Sequence, residues 1–174
     1  MKKDFVIPIL VLTLICLIMS GLLAAVNNIT YPVIEEAAAE RAEAAMREII
    51  PEADGFFLHE GGGLPETVAA AYFTANNAGY IFIVNTYGYG GEIRLICGID
   101  PDGKIIKSKI LSHAETQGLG TIVFDRAVGY EGQDIDFAYG LDAIAGSTIT
   151  SNAYKSAILD AFAAFEIMEG GRLY

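Results

Sequence analysis

Four hydroxyl side chains, Ser147, Thr148, Thr150 and Ser151, crowd into DAIAGSTITSNAY, residues 142–154, directly behind Asp142 and Gly146. Hydroxyls just ahead of an amphipathic run read as the start of a helix, where an oxygen satisfies an orphan N–H group of the first turn. One cap needs one hydroxyl, so Thr150 or Ser151 suffices for it and the others are surplus. A helix N-terminus also presents free N–H groups and a partial positive charge, the ingredients of a phosphate site. Gly146 lets backbone approach a ligand closely, and the small Ala145 and Ser147 leave room around Thr148. Capping and turn chemistry alone is the competing explanation.

A second chemical stretch is HAETQGLGTIVFD, residues 113–125. Gly118, Leu119 and Gly120 after a strand imply close backbone approach to something flat or to another strand. Glu115 and Thr116 place an acceptor and a donor beside them. Taken alone, Glu115 is an ordinary solvated carboxylate and His113 an ordinary strand-end histidine, to which no catalytic role is given. Tyr87, Tyr89, Phe124, Tyr130, Phe137 and Tyr139 include candidates for ring stacking, although packing explains most aromatics at such positions. The two histidines, His59 and His113, are far apart, and Cys16 and Cys97 form no C-x-x-C. No metal site and no disulfide framework is expected. There is no GxGxxG, no P-loop and no Ser-His-Asp arrangement, so the chain brings no nucleotide-binding fold of its own.

The elements that must position these residues are α+β. YIFIV (80–84), EIRLICGI (92–99) and KIIKSKIL (104–111) are short Ile- and Val-rich runs bounded by turn residues, which predicts an antiparallel meander of at least three strands. Asp100-Pro101-Asp102-Gly103 is the turn between the last two, with Pro presetting φ and Gly accepting a positive one. Between Ser151 and Met168, Tyr154, Ala157, Ile158, Ala161, Phe162 and Phe165 recur at helical spacing, predicting an amphipathic helix packed on the sheet and closed by Gly170 and Gly171.

Phe5 to Ile34 carries no charged side chain, and Phe5 to Val26 is apolar almost throughout. A helix over such a run crosses the ~30 Å hydrocarbon core of a bilayer. The run exceeds the ~7–15 apolar residues usual in a signal peptide, and no A-x-A-like site follows it. Lys2 and Lys3 precede it and no Lys or Arg follows until Arg41, which keeps the N-terminus cytoplasmic. VIEEAAAERAEAAMREII (33–50) continues as an Ala- and Glu-rich stalk helix, with Glu43 and Arg47 a favourable i,i+4 pair and Pro51 as its stop. The expected organisation is a cytoplasmic tip at 1–4, a transmembrane helix at 5–27, a stalk helix at 28–51 and an extracytoplasmic domain at 52–174. The whole chain has a net charge of −11, and without Lys2, Lys3 and Asp4 it holds 9 basic and 21 acidic residues. Such a surface repels nucleic acid and favours proteins or small molecules as partners.

Asp142, Gly146, Ser147 and Thr148 in DAIAGST resemble the Dxx(S/T)G(A/S)T motif of the FMN-binding domain shared by the G-type subunit of Rnf complexes and the C-type subunit of the sodium-pumping quinone reductases. Ala145 stands where Ser or Thr is usual. HAETQGLG is similar to the family's HxETPGLG segment, with Gln117 in place of Pro, and GYGGEIRLICGIDPDGKI (88–105) resembles its GYGG strand and hairpin. The resemblance implies an antiparallel sheet with packed helices behind one transmembrane helix. It implies FMN joined to Thr148 through a phosphoester by a flavin transferase, with Asp142 part of the transferase signal. Glu115, Thr116, Gly118, Leu119, Gly120, Gly146, Ser147 and Thr150 would line the flavin. The implied role is electron transfer as the G-type subunit of a membrane-bound ion-translocating ferredoxin:NAD oxidoreductase, inactive alone and partnered by the other redox subunits. Two alternatives remain: a stand-alone membrane-anchored flavoprotein module, and a non-redox tethered binding protein whose hydroxyl cluster only caps a helix.

Overall fold

The computed structural model describes residues 2–127 and 129–172; Met1 of the expected tip, Val128, Leu173 and Tyr174 lie outside the described residues. By compactness the chain divides into Met1–Glu40 and Arg41–Tyr174. The first unit is the bulk of one helix, α1 (Lys2–Ile49), in which every side chain from Val6 to Glu36 is exposed. It is long and apolar enough to cross a membrane. Pro8 and Pro32 sit inside this helix, and each removes a backbone donor. Thr13 and Thr30 return their hydroxyls to the carbonyls of Ile9 and Val26, at 2.9 and 2.8 Å.

The second unit is built on a five-stranded antiparallel meander in the order β1-β2-β3-β4-β5, with β1 (Phe56–Leu58), β2 (Val68–Thr74), β3 (Tyr80–Tyr87), β4 (Glu92–Ile99) and β5 (Ile105–His113). The Asp100–Gly103 turn forms as expected. Gly103 adopts φ +74°, and the Asp100 carboxylate accepts from the N–H groups of Asp102 and Lys104 at 3.0 and 2.8 Å. Two short helices follow, α2 (Ile122–Ala127) and α3 (Ile135–Tyr139), and then the long α4 (Thr148–Arg172).

The apolar runs of β3 and β4 are nearly continuous because both faces of the sheet are covered. Tyr80, Phe82, Val84, Leu95, Cys97 and Ile99 pack against Tyr154, Ala157, Ile158, Ala161 and Phe162 of α4. On the other face Ile81, Ile83 and Ile96 meet Ala42, Ala45, Met46, Ile49 and Ile50. The period of two along a strand makes this division. Gly98 is part of it: a Cβ there would lie 2.3 Å from Ile49 Cγ2. Burial pushes the Cys97 thiol up to about 12, which leaves it inert at neutral pH. The last turns of α1, expected from sequence to be a stalk, are therefore part of the domain's core. Glu48 adds ion pairs from the same turns to Lys107 and Lys109 on β5.

Two outcomes follow for stability. A chain starting at Arg41 is expected to fold and melt cooperatively, whereas one starting at Glu52, which lacks the layer over Ile81, Ile83 and Ile96, is expected to aggregate or stay unfolded; circular dichroism of the two truncations checks this. In the full chain, Ile49→Ala is expected to cost about 2–5 kcal/mol, seen as a lower urea midpoint at unchanged slope.

Candidate functional site

The course of the backbone into α4 decides where the hydroxyls point. Gly146 takes φ +83°, a left-handed turn open to glycine. The Ser147 N–H closes onto Ile144 O at 2.9 Å, and the Ser151 N–H onto Ser147 O at 2.8 Å. The helix thus starts at Thr148, three residues before the sequence-based start at Ser151. Thr150 and Ser151 therefore lie within the first turn, and neither occupies the capping position expected for it. Ser147 does occupy it, but its hydroxyl donates to Leu119 O across a gap, while the Ser151 hydroxyl accepts from the Ile144 N–H at 3.0 Å. The N–H groups of Thr148, Ile149 and Thr150 have no acceptor among the described residues. The first turn also contains no acidic side chain to offset the helix dipole.

A lysine that carried no signal in the sequence helps hold this approach. Lys155, in the second turn of α4, donates to Tyr139 O at 2.6 Å and Leu141 O at 3.1 Å. It pins the segment just before Asp142.

The facing wall is the loop after β5. Thr116 O accepts from the N–H groups of Leu119 and Gly120 at 3.2 and 3.0 Å, and the Gly118 N–H donates to Thr121 Oγ1 at 2.9 Å. His113 Nδ1 accepts from the Glu115 N–H at 3.1 Å, with its ring 5.2 Å from that of Phe124. The Glu115 side chain is turned inward, 8 % exposed, and its Oε1 accepts from the Gly90 N–H at 3.0 Å. Glycines make room for it: a Cβ at Gly88 would sit 2.0 Å from Oε1, and one at Gly120 2.2 Å from Oε2. Glu115 thus ties the β3–β4 turn to the loop after β5; the residue taken alone reads as a solvated carboxylate, and only its motif set it beside a ligand.

Between the two walls lies a cleft of about 250 Å³. Glu115, Thr116, Leu119 and Gly120 form one side; Gly146, Ser147, Thr148 and Thr150 form the other. Segments far apart in the chain are brought together here. Gly118 and Asp142 are not on the lining and are exposed, Gly118 turning the loop at φ +76°. Ala145 is likewise exposed outside the cleft. Two further residues line it: Ile149, which carried no chemical signal, and Tyr89, which stood in sequence as one aromatic among several. Phe124 lines a different hollow, beside β5, and Tyr130 and Phe137 pack on each other at 5.1 Å.

Exposure separates the four hydroxyls. Ser147, Thr150 and Ser151 are buried at 6, 1 and 8 %, whereas Thr148 is exposed. The donor set suits a phosphate, because three N–H groups and an accessible hydroxyl meet at one helix end. The apolar side chains suit a flat ring, since Tyr89, Leu119 and Ile149 line the cleft yet are 74, 50 and 55 % exposed. A phosphate-bearing aromatic such as FMN fits both.

Comparison with known proteins agrees with this geometry. Residues 88–163 match the FMN-binding domain family, a span that contains every cleft-lining residue. The G-type subunit of the proton-translocating ferredoxin:NAD(+) oxidoreductase complex of Clostridium ljungdahlii is 30 % identical, covering 92 % of this chain and 91 % of the relative. The G-type subunit of the ion-translocating oxidoreductase complex of Methanosarcina acetivorans is 27 % identical over 97 % of this chain and 98 % of its own. Its counterpart in the Na(+)-translocating ferredoxin:NAD(+) oxidoreductase complex of Acetobacterium woodii is 29 % identical over 86 % of each. With the motifs, the antiparallel sheet and the cleft in one frame, the chain belongs to the family of G-type subunits of ion-translocating, Rnf-type oxidoreductase complexes and carries that family's FMN-binding domain.

Proposed function

We propose that this chain is the electron-carrying G-type subunit of a membrane-bound ion-translocating ferredoxin:NAD oxidoreductase, holding FMN covalently through a phosphoester to Thr148. The observation that carries the attachment point is the exposure of Thr148 among three buried neighbours, two of whose hydroxyls are already engaged. A transferase can reach Thr148 without unfolding anything. Asp142, exposed and outside the cleft, would serve as part of the transferase's recognition signal.

FMN, when bound, supplies acceptance and release of electrons. The chain's own groups do the rest. The N–H groups of Thr148, Ile149 and Thr150 would hold the phosphate oxygens, with the positive end of α4 offsetting their charge. Tyr89, Leu119 and Ile149 would hold the ring and exclude water from its faces. Glu115 and Ser147 keep the walls at fixed separation through Gly90 and Leu119. A covalent tether keeps the cofactor's effective concentration high where a dissociated flavin would be lost by dilution. Placement of the domain outside the cytoplasm, with the apolar part of α1 as a single span of a bacterial cell membrane, is supported by Lys2 and Lys3 ahead of the apolar run. Activity would require the other redox subunits.

Co-expressed with a flavin transferase, the chain is expected to gain the mass of FMN less one water, and Thr148→Ala to abolish the gain while Ser147→Ala and Ser151→Ala retain it. An adduct that survives in Thr148→Ala sinks the assignment. Isolated from its native membrane, the chain is expected to co-migrate with flavin- or iron–sulfur-bearing subunits; recovery alone, still flavinylated, would favour the stand-alone module. Protease added to intact cells with a permeabilised outer layer is expected to remove the domain, and protection of the domain would reverse the orientation.

A further inference from the structure

We infer that the Glu115 carboxylate lowers the reduction potential of the bound flavin, acting as a fixed negative charge in the wall of the cleft. This rests on the FMN reading of that cleft. Among the residues lining it, Glu115 is the one with an acidic or basic side chain. Glu115 as a residue is 8 % exposed, and it makes no ion pair with Lys, Arg or His among the described residues. Gly88 and Gly120 flank its two oxygens so closely that a Cβ at either would come within 2.0 and 2.2 Å of them. The Gly90 N–H, 3.0 Å from Oε1, fixes its orientation. A charge so enclosed acts through less water than a surface carboxylate and is less screened by salt.

Reduction of FMN by two electrons with uptake of one proton leaves one added negative charge on the flavin. The free N–H groups of the α4 N-terminus favour that charge, and a carboxylate in the opposite wall disfavours it. The two walls therefore pull the potential in opposite directions. Glu115 is a positioning residue as well, so the test must separate its charge from its hydrogen bond. Glutamine keeps the acceptor for Gly90 and nearly the same volume while removing the charge; aspartate keeps the charge on a shorter stem.

The full-length chain, purified in detergent with its FMN, would be titrated electrochemically while flavin absorbance is followed, and flavin content and melting temperature would be recorded for each variant. Glu115→Gln is expected to retain flavin and to raise the midpoint by at least tenfold in the oxidised-to-reduced equilibrium, about 30 mV for a two-electron couple. Glu115→Asp is expected to stay closer to the parent than Glu115→Gln does. A flavin-bearing Glu115→Gln with the parental midpoint overturns the inference, as do equal shifts in both variants, which would assign the effect to packing. Loss of flavin or of the fold in Glu115→Gln also counts against it, because the amide can still accept from Gly90. Absence of flavin from the parent chain is seen before any variant is made, and it overturns the underlying reading of the cleft instead.

Discussion

The N-terminus of α4 keeps three N–H groups without an acceptor among the described residues, and packing farther along the same helix opposes relaxation of that state. Tyr154, Ile158 and Phe162 are set into the sheet. The Tyr154 hydroxyl shares a 2.7 Å hydrogen bond with Ser108 of β5, and Asp160 accepts from Thr67 ahead of β2 at 2.8 Å. The helix cannot slide or rotate to find a cap without breaking these. Gly146 fixes where it begins, and Ser147 spends its hydroxyl on the opposite wall. Unsatisfied donors at a helix end are ordinarily solvated or capped; here they are held open toward a cleft, which is the condition for binding an anion strongly when one arrives.

The cleft is a tertiary object. Its walls come from the β3–β4 turn, the loop after β5 and the first turn of α4, joined by the contacts Glu115 to Gly90 and Ser147 to Leu119. Each contact pairs a side chain with a backbone group, so sequence can drift around them while the separation of the walls stays constant. The glycines facing Glu115 serve the same end, since any side chain at Gly88 or Gly120 would displace the carboxylate.

Legibility in the sequence followed physical rules. β3, β4 and β5 were readable because β-branched runs end at turn residues with their own mechanism. β1 and β2 were not: β1 is three residues long, and in VAAAYFT three consecutive alanines separate Val68 from the strand-favouring Tyr-Phe-Thr, so pairing with β3 decides the strand. α2 and α3 are too short for periodicity to register. The start of α4 was placed late because a hydroxyl-rich stretch looks like a cap, whereas Gly146 had already turned the chain. At the site, the motif residues of the two walls were legible. Ile149 was not, and Tyr89 was legible only as one candidate aromatic among several, because nothing local says that positions 89, 119 and 149 meet. The inward turn of Glu115 was hidden for the same reason, its partners being glycines that show up only in three dimensions.

The ion pairs from Glu48 to Lys107 and Lys109 have a meaning beyond holding a helix turn on the sheet. β5 is the last strand of the meander, and its start is paired beyond the sheet by the Gly132–Gln133 segment, with Ile105 exchanging backbone hydrogen bonds at 2.8 and 2.7 Å. Farther along the same strand Glu48 holds the ammonium groups of both Lys107 and Lys109. One carboxylate thus serves two ammonium groups that stand two residues apart on the last strand, so the turn of helix that covers the sheet also sets the charge that this strand presents.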